Sequence, residues 1–585
     1  MRGSGRPAGG QVASELSAAL ALCRNGFVGV ALFSALLNVL YLTGSFYMLE
    51  VYDRVLPSRS IPTLVGISVL ALALFSFQGL LDIVRGRILV RIARSLDESV
   101  SQRLYQIAAK LPFQPPSVRG LQPLRDLSQV RSFLSTVGPA ALFDLPWMPL
   151  YLGICYIFHP WLGIAAGCGG LLLVAVTVFT EFKTRAPAKL AGELGYGRNV
   201  LAEASRRNAE VAHVMGMADR LGMRWGELNR KAMSAEERVA DITGGMGGLS
   251  RVLRMVLQSA VLGIGAYLVI NQEASAGVII ASSILTSRAL APVELAVGHW
   301  KGFAAARQSW RRLNELMGIM PAEQQRISLP KPAHTVTLEA VTVTPPGSSQ
   351  VVVQDMAFEL KSGQGLGVIG PSASGKSSLV RAMVGVWPAV RGKIRIDGAA
   401  LDQWSAGALG PHIGYLPQDM ELFAGSVSEN IARFDPEPKS DAIIAAANAA
   451  GVHQLVLGLP NGYETQIGES GTALSAGQRQ RIGLARALYG NPFLVVLDEP
   501  NSSLDNEGEE ALTAAMLGVR ARGGVVVVVA HRPSALAGVD LILVMRAGRQ
   551  QAFGPKEVVL KAALQRPVST EPKALRLATR SQEAS

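Results

Sequence analysis

Six apolar stretches crowd into the first 300 residues, each about as long as the ~20 residues a helix needs to cross a bilayer. They run approximately over 26–48, 62–84, 136–158, 160–182, 252–271 and 276–296. Only His159 and Pro160 separate the third from the fourth, and only NQEAS the fifth from the sixth, so each pair reads as a hairpin with a minimal turn. A core helix hairpin of a soluble protein is the competing reading, and charge decides against it. Lys and Arg number 8 over 86–135 and 13 over 183–254, whereas the connection 49–60 has only Arg54 and Arg59 and the two other short turns have none. That alternation places the two long connections and both termini on the cytoplasmic side of a membrane. It also accounts for much of the net charge of +12 without a nucleic-acid-binding face, and charged residues are only 17% of the chain against ~25% in soluble proteins.

The two long connections lack helix breakers and keep an apolar spacing that predicts helix over roughly 85–135 and 183–250. About 25 residues precede the first span, and the expectation is a short cytoplasmic N-terminus over 1–25. Three isolated cysteines, Cys23, Cys155 and Cys168, fit neither a disulfide framework nor a zinc site. A polar helix ends near Gly318, and Pro321, Pro330 and Pro332 mark a linker over 319–334. From 335 to 565 the pattern turns α/β, with short strands such as GLGVIG, FLVVLD and VVVVVA between helical stretches. The expected architecture is an all-α six-helix transmembrane domain (26–318) fused to an α/β P-loop domain (335–565). The polar tail 566–585 reads as disordered.

Chemistry concentrates in the second half. Gly370, Pro371, Ser372, Ala373, Ser374, Gly375, Lys376 and Ser377 fit GxxxxGK[ST], after an apolar strand and before a helix that continues through Ser378. Such a loop wraps phosphates in backbone N–H groups at a helix N-terminus, with Lys376 on the terminal phosphates and Ser377 available to Mg²⁺. FLVVLDEP ends a strand in two acids: Asp498 is placed for Mg²⁺ and Glu499 to polarise an attacking water. Adjacent acids at a strand end also suit a mere cap, a reading the neighbouring P-loop disfavours.

Between these motifs lies LSAGQRQRIGLARAL, and here the chain resembles the ATP-binding cassette superfamily, whose signature LSGGQ it matches except for Ala476. The resemblance implies that Ser475, Gly477 and Gln478 meet the ATP of a partner subunit in a homodimer. It also makes Gln418 the Q-loop glutamine, serving metal and catalysis, Asp505 the end of the D-loop and His531 the switch histidine. Gly468 and Glu469 match a segment characteristic of exporters, which there touches the membrane domain. One departure stands out: Pro345 or Pro346 occupies the place where exporter cassettes carry an adenine-stacking aromatic.

In the membrane half, FYMLEVYDRVLPSRSIPTL and FDLPWMPLYL look like type I secretion exporters, most of all the alkaline-protease and haemophore group. With so short an N-terminus, the expectation is that the peptidase-like domain of related exporters is absent. The resemblance implies an ATPase of the bacterial inner membrane that works with a periplasmic adaptor and an outer-membrane channel. Its cargo would be unfolded proteins carrying an uncleaved C-terminal signal. A lipid or drug flippase of the same fold is the alternative. A soluble cassette ATPase conflicts with the six spans, and a non-transporting relative conflicts with the presence of Glu499 and His531. Finally, Arg288 falls inside the sixth span, where it reads as either a snorkelling residue or part of the export path with Asp144 as its partner.

Overall fold

The computed structural model describes residues 15–115, 122–321, 329–468, 471 and 473–565. Expectations for Glu469, for most of 1–25 and for the tail 566–585 therefore concern residues outside those described. The rest forms two compact units: the first runs to Leu111 and resumes up to Pro321, and the second takes the short stretch that begins at Pro112 together with the chain beyond Pro321.

In the first unit, six helices are long and apolar enough to cross a membrane: Arg24–Ser58, Ile61–Phe113, Gly138–Phe158, Pro160–Arg207, Ala218–Ile270 and Ala276–Gly298. The unit's helices are α1 (Glu15–Leu22), α2 (Arg24–Leu40), α3 (Thr43–Glu50), α4 (Ile61–Lys110), α5 (Pro123–Leu134), α6 (Gly138–Asp144), α7 (Met148–Phe158), α8 (Pro160–Arg207), α9 (Ala218–Ile270), α10 (Ala276–Gly298) and α11 (Trp300–Ile319), of which α1, α5 and α11 lie outside the six candidate spans. Local chemistry sets the turns. Ser60 accepts from the Thr63 N–H with Pro62 in the first turn of α4, and Ser275 accepts from the Val278 N–H to open α10. His159 and Pro160 do the same for α8. Much of each charge-rich stretch extends a spanning helix, α4 running 50 residues and α9 53, but neither stretch is one continuous helix: Pro123–Leu134 is a separate helix, and a short one at Ala209–Val214 stands between α8 and α9. The connection 49–60 differs from a simple loop. It stays helical to Ser58 through a π-helical turn at Val51–Val55, then breaks at Arg59 with φ of +53°. That turn aims Asp53 at the start of α10, where its carboxylate accepts from Ser275 Oγ at 2.5 Å and Gly277 N at 2.8 Å.

The polar residues inside the spans are arranged differently from the expectation. Asp144 does not partner Arg288. It takes Arg85, whose Nη1 donates to both carboxylate oxygens at 3.0 Å, and Asn38 Nδ2 at 2.8 Å. Tyr151 closes the network on Asn38 Oδ1 at 2.8 Å, and Arg85 also pairs with Asp82 at 2.7 Å. Arg288 instead stacks its guanidinium over the Tyr41 ring, 4.7 Å from the centroid. The physical reason is burial: Arg85 and Asp144 are 6% and 7% exposed, so each needs an opposite charge, while Arg288 is exposed. Removing one member of such a pair strands the other. Asp144→Asn is expected to destabilise the protein by roughly 3 kcal/mol, read as a lower unfolding midpoint in detergent. Asp82→Asn costs less, because its side chain is 55% exposed; equal losses for the two variants contradict the network.

The second unit holds two sheets. One is antiparallel, in the order β2-β1-β4-β5, from β1 (Thr335–Val343), β2 (Val353–Lys361), β4 (Arg391–Ile396) and β5 (Ala399–Ala400). The other runs β10-β9-β3-β8-β7-β6, from β3 (Gly365–Ile369), β6 (Ile413–Leu416), β7 (Leu494–Asp498), β8 (Val525–Val529), β9 (Leu541–Arg546) and β10 (Arg549–Pro555). All of its pairs are parallel except the β9–β10 pair. Strands β7 and β8 are buried along their whole length, which is why they read as unbroken apolar runs rather than alternating ones. Helices α12 (Lys376–Met383), α13 (Val427–Ile431), α14 (Ser440–Ala449), α15 (Ala476–Leu488) and α16 (Asn506–Ala521) complete the part that carries the site.

Candidate active site

In an open parallel sheet, ligands bind beyond the carboxyl ends of the strands. The order β3-β8-β7-β6 brings four chain-distant loops to that edge. After β3 the chain enters the loop 370–375 and then α12. Gly375 sits at φ +95°, and a Cβ there would lie 2.4 Å from the Val352 carbonyl oxygen; at Gly370 it would lie 2.2 Å from that of Met545. Only glycine fits either place. Ala373 is also left-handed, at φ +61°. Pro371, Ser372 and Ala373 are exposed at the rim, Ser374 and Lys376 are buried, and Ser377 and Ser378 are half-buried in the first turn of α12.

Lys376 folds back into the loop, its Nζ donating to the Gly370 and Pro371 carbonyls at 3.0 Å each. Burial pushes its ammonium below the usual lysine value, against the pull of Glu499 and Asp498. Ser377 Oγ donates to Asp498 Oδ1 at 3.2 Å, joining the loop to the tip of β7. Burial raises the Asp498 carboxyl above its ordinary range, with the Ser377 hydrogen bond opposing. Its other oxygen, Oδ2, is buried without a partner, as is Ser374 Oγ. An orphaned carboxylate oxygen beside a hydroxyl and a phosphate-type loop is the donor set a hard divalent cation takes, so the residues present fit Mg²⁺.

Glu499 follows in a left-handed conformation, φ +51°, which a non-glycine residue adopts only under constraint. Here the Glu499 N–H donates to the Val529 carbonyl of β8. Gln418, beyond β6, donates to Glu499 Oε2 at 3.2 Å, and His531 Nε2, beyond β8, lies 3.0 Å from Oε1. Both oxygens of this carboxylate are thus held from neighbouring strands.

The remaining expected residues lie apart from this cluster. Ser475 caps α15, accepting from the Gln478 N–H at 3.3 Å while Gln478 Oε1 accepts from the Ser475 N–H at 2.9 Å. Ser475 and Ala476 are exposed, with Gly477 half-buried behind them. Among the described residues, no hydrogen bond joins Ser475, Gly477 or Gln478 to the loop 370–377 of the same chain. Asp505 caps α16 at Gly508 N and pairs with Arg481 of α15. Sequence reading missed Gln480, which is 7% exposed: its Nε2 donates to the Pro500 carbonyl and its Oε1 accepts from Ser503 N, tying 500–503 to α15. A buried glutamine one turn into a helix has no motif of its own. Pro345 and Pro346 are half-buried in the loop that leaves β1.

A family model described as "ABC transporter" matches residues 353–502, and one described as "ABC transporter transmembrane region" matches 27–292. The chain is 58% identical over 572 residues, 98% of each chain, to the type I secretion system ATP-binding protein PrsD of Rhizobium meliloti (strain 1021). It is 28% identical over 541 residues to the cyclolysin secretion/processing ATP-binding protein CyaB of Bordetella pertussis, covering 91% of this chain and 75% of that one. The exotoxin translocation ATP-binding protein PaxB of Pasteurella aerogenes is 28% identical over 534 residues, 90% of this chain and 74% of that one. The fold is that of a solved bacterial Atm1-family ABC exporter with ATP bound (TM-score 0.79, 22% identity, 92% of this chain and 97% of the other). A nucleotide-binding cassette, six candidate spans and near-full-length identity converge on one assignment: this multi-pass membrane protein belongs to the type I secretion system family of ABC exporters, which couple ATP hydrolysis to protein export.

Proposed function

We propose that two copies of this chain form a homodimer in a bacterial inner membrane, with the cassettes and both termini in the cytoplasm. Residues 26–318 form the transmembrane domain, 319–334 a linker and 335–565 the cassette. One observation carries the dimer: Ser475 and Gly477 stand at an exposed helix N-terminus, unlinked to the loop 370–377 of their own chain. A helix N-terminus favours anions. In the dimer it meets the terminal phosphate held by the partner's loop, so each ATP is enclosed by two chains, with the Asp505 loops alongside.

Within each site, Lys376 exchanges the Gly370 and Pro371 carbonyls for the terminal phosphates. Ser377, Asp498 and Gln418 hold Mg²⁺, which neutralises charge on the phosphates when bound. Glu499 accepts the proton of the attacking water, and His531 keeps its carboxylate aimed. Binding draws the cassettes together; hydrolysis leaves like-charged products and separates them. The long extensions α4, α8 and α9 carry the motion to the spans.

The cargo we assign is an unfolded protein with a C-terminal signal, passed onward through a periplasmic adaptor and an outer-membrane channel. The relatives PrsD, CyaB and PaxB, named for secretion or translocation, support this reading over a flippase. The test uses the purified dimer in nanodiscs and a protein whose secretion requires this chain. A synthetic peptide copying the C-terminal tail of that protein changes the ATPase rate, and a peptide copying its first residues does not. Equal responses to both peptides, or a rate that follows phospholipid alone, contradict the assignment.

A further inference from the structure

Two arginines that play no part in the nucleotide chemistry above bind β6 and the segment after it, which carries Gln418, to α15. Arg433 follows α13 at φ +58°, and Phe434 follows it at φ +55°, two consecutive left-handed residues without a glycine. Such a pair persists only where surrounding contacts over-determine it. The contacts are four backbone carbonyls. Arg433 donates to Arg486 O at 2.9 Å and Ala487 O at 3.0 Å, in the last turn of α15. It also donates to Gly410 O at 3.0 Å and Ile413 O at 3.1 Å, where β6 begins. The final carbonyls of a helix lack partners within it, and a cation there complements the helix dipole. Gly414 shows how closely the two elements approach: a Cβ there would lie 2.1 Å from the Ala487 carbonyl oxygen.

Arg486 reaches from α15 to the other end of the segment. Both Nη atoms donate to the Glu421 carbonyl at 3.3 Å, one of them also lies 3.3 Å from Met420 Sδ, and the guanidinium covers the Phe423 ring at 5.9 Å. Asn430, fully buried, pins Phe423 from behind by accepting from its N–H and donating to its carbonyl, both at 2.9 Å. Among the described residues, neither arginine forms an ion pair with a carboxylate. Burial pushes both guanidiniums below the usual arginine value, and in Arg433 the charge of Arg486 adds to this. Two neighbouring cations without counter-charges are a costly way to hold a loop unless the geometry of the grip is what matters.

We propose that Arg433 and Arg486 are positioning residues: Arg433 fastens the start of β6, and Arg486 the Met420–Phe423 stretch just beyond Gln418, to the signature helix of the same chain. Gln418 touches Glu499 in its own site, and the N-terminus of α15 serves the partner's site. The two arginines therefore make the position of Gln418 at one ATP set the position of Ser475 and Gly477 at the other. This rests on the two-chain site proposed above.

The test is ATP retention by the Glu499→Gln dimer after rapid desalting, with equilibrium ATP binding measured alongside. Adding Arg486→Ala lowers the retained ATP by at least about tenfold, within the usual range of coupling between sites, and leaves equilibrium binding to the 370–377 loop little changed. Arg486→Lys keeps the charge but loses the forked donor, guarding against a variant that does not fold; it retains less ATP than the parent and more than the alanine variant. Glu421→Gln preserves the carbonyl that Arg486 grips and behaves as the parent. Parental retention in both Arg486 variants overturns the inference, as does an equal fall in equilibrium binding, or a Glu421→Gln defect matching that of Arg486→Ala. If Glu499→Gln alone retains no ATP, the two-chain site itself fails and the inference falls with it.

Discussion

Glu499→Gln is expected to slow ATP hydrolysis by about 10²–10⁴-fold, the usual contribution of a positioned general base, while ATP stays bound and the two cassettes stay closed. The amide matches the carboxylate in shape, and the left-handed backbone at φ +51° stays anchored by the N–H of residue 499 on the Val529 carbonyl. What disappears is the basic oxygen that Gln418 and His531 hold at 3.2 and 3.0 Å. The groups that bind phosphate make no hydrogen bond to the Glu499 side chain among the described residues: Lys376 bonds to the carbonyls of its own loop, and the Glu499 carboxylate to Gln418 and His531. A single-turnover assay with the purified dimer separates the two effects. Wild-type hydrolysis by the glutamine variant removes Glu499 from the base role.

The parts of this molecule written in local sequence are legible from the sequence alone. The strands GLGVI, LVVLD and VVVVV announce themselves because full burial on both faces allows no polar interruption. The loop 370–377 is readable because only glycine fits at 370 and 375. Six spans follow from length and apolarity. What remained hidden depends on partners far apart in the chain. Reading the second span by hydropathy stops it at residue 84, so Arg85 passes for the start of a polar connection; in the fold it is buried against Asp144, 59 residues away. Arg288 and Asp144 look like natural partners only while Arg85 is left outside the membrane half. The π turn at Val51–Val55 has no sequence marker, because its cause is the reach of Asp53 to Ser275 and Gly277, more than 200 residues further on. Arg433 and Arg486 escape for the same reason: their acceptors are carbonyl oxygens, which any residue supplies.

The same division explains why α15 reads as a signature but not as half of a site. Its capping box is local, and Ser475 and Gln478 satisfy each other within one turn. In the proposed dimer, what Ser475 and Gly477 face lies on the other chain. Mixing two inactive chains tests this directly. Lys376→Ala removes the cation that reaches the terminal phosphates, and Ser475→Arg fills the exposed N-terminus of α15; each homodimer lacks both of its complete sites and hydrolyses no ATP. In a mixed dimer, one site combines the intact loop of the Ser475→Arg chain with the intact signature of the Lys376→Ala chain. Since random pairing makes half the dimers mixed and each has one good site, co-purified mixtures are expected to recover about a quarter of the wild-type ATPase rate, as two-fold symmetry requires. A mixture as inactive as its two components would contradict the two-chain site.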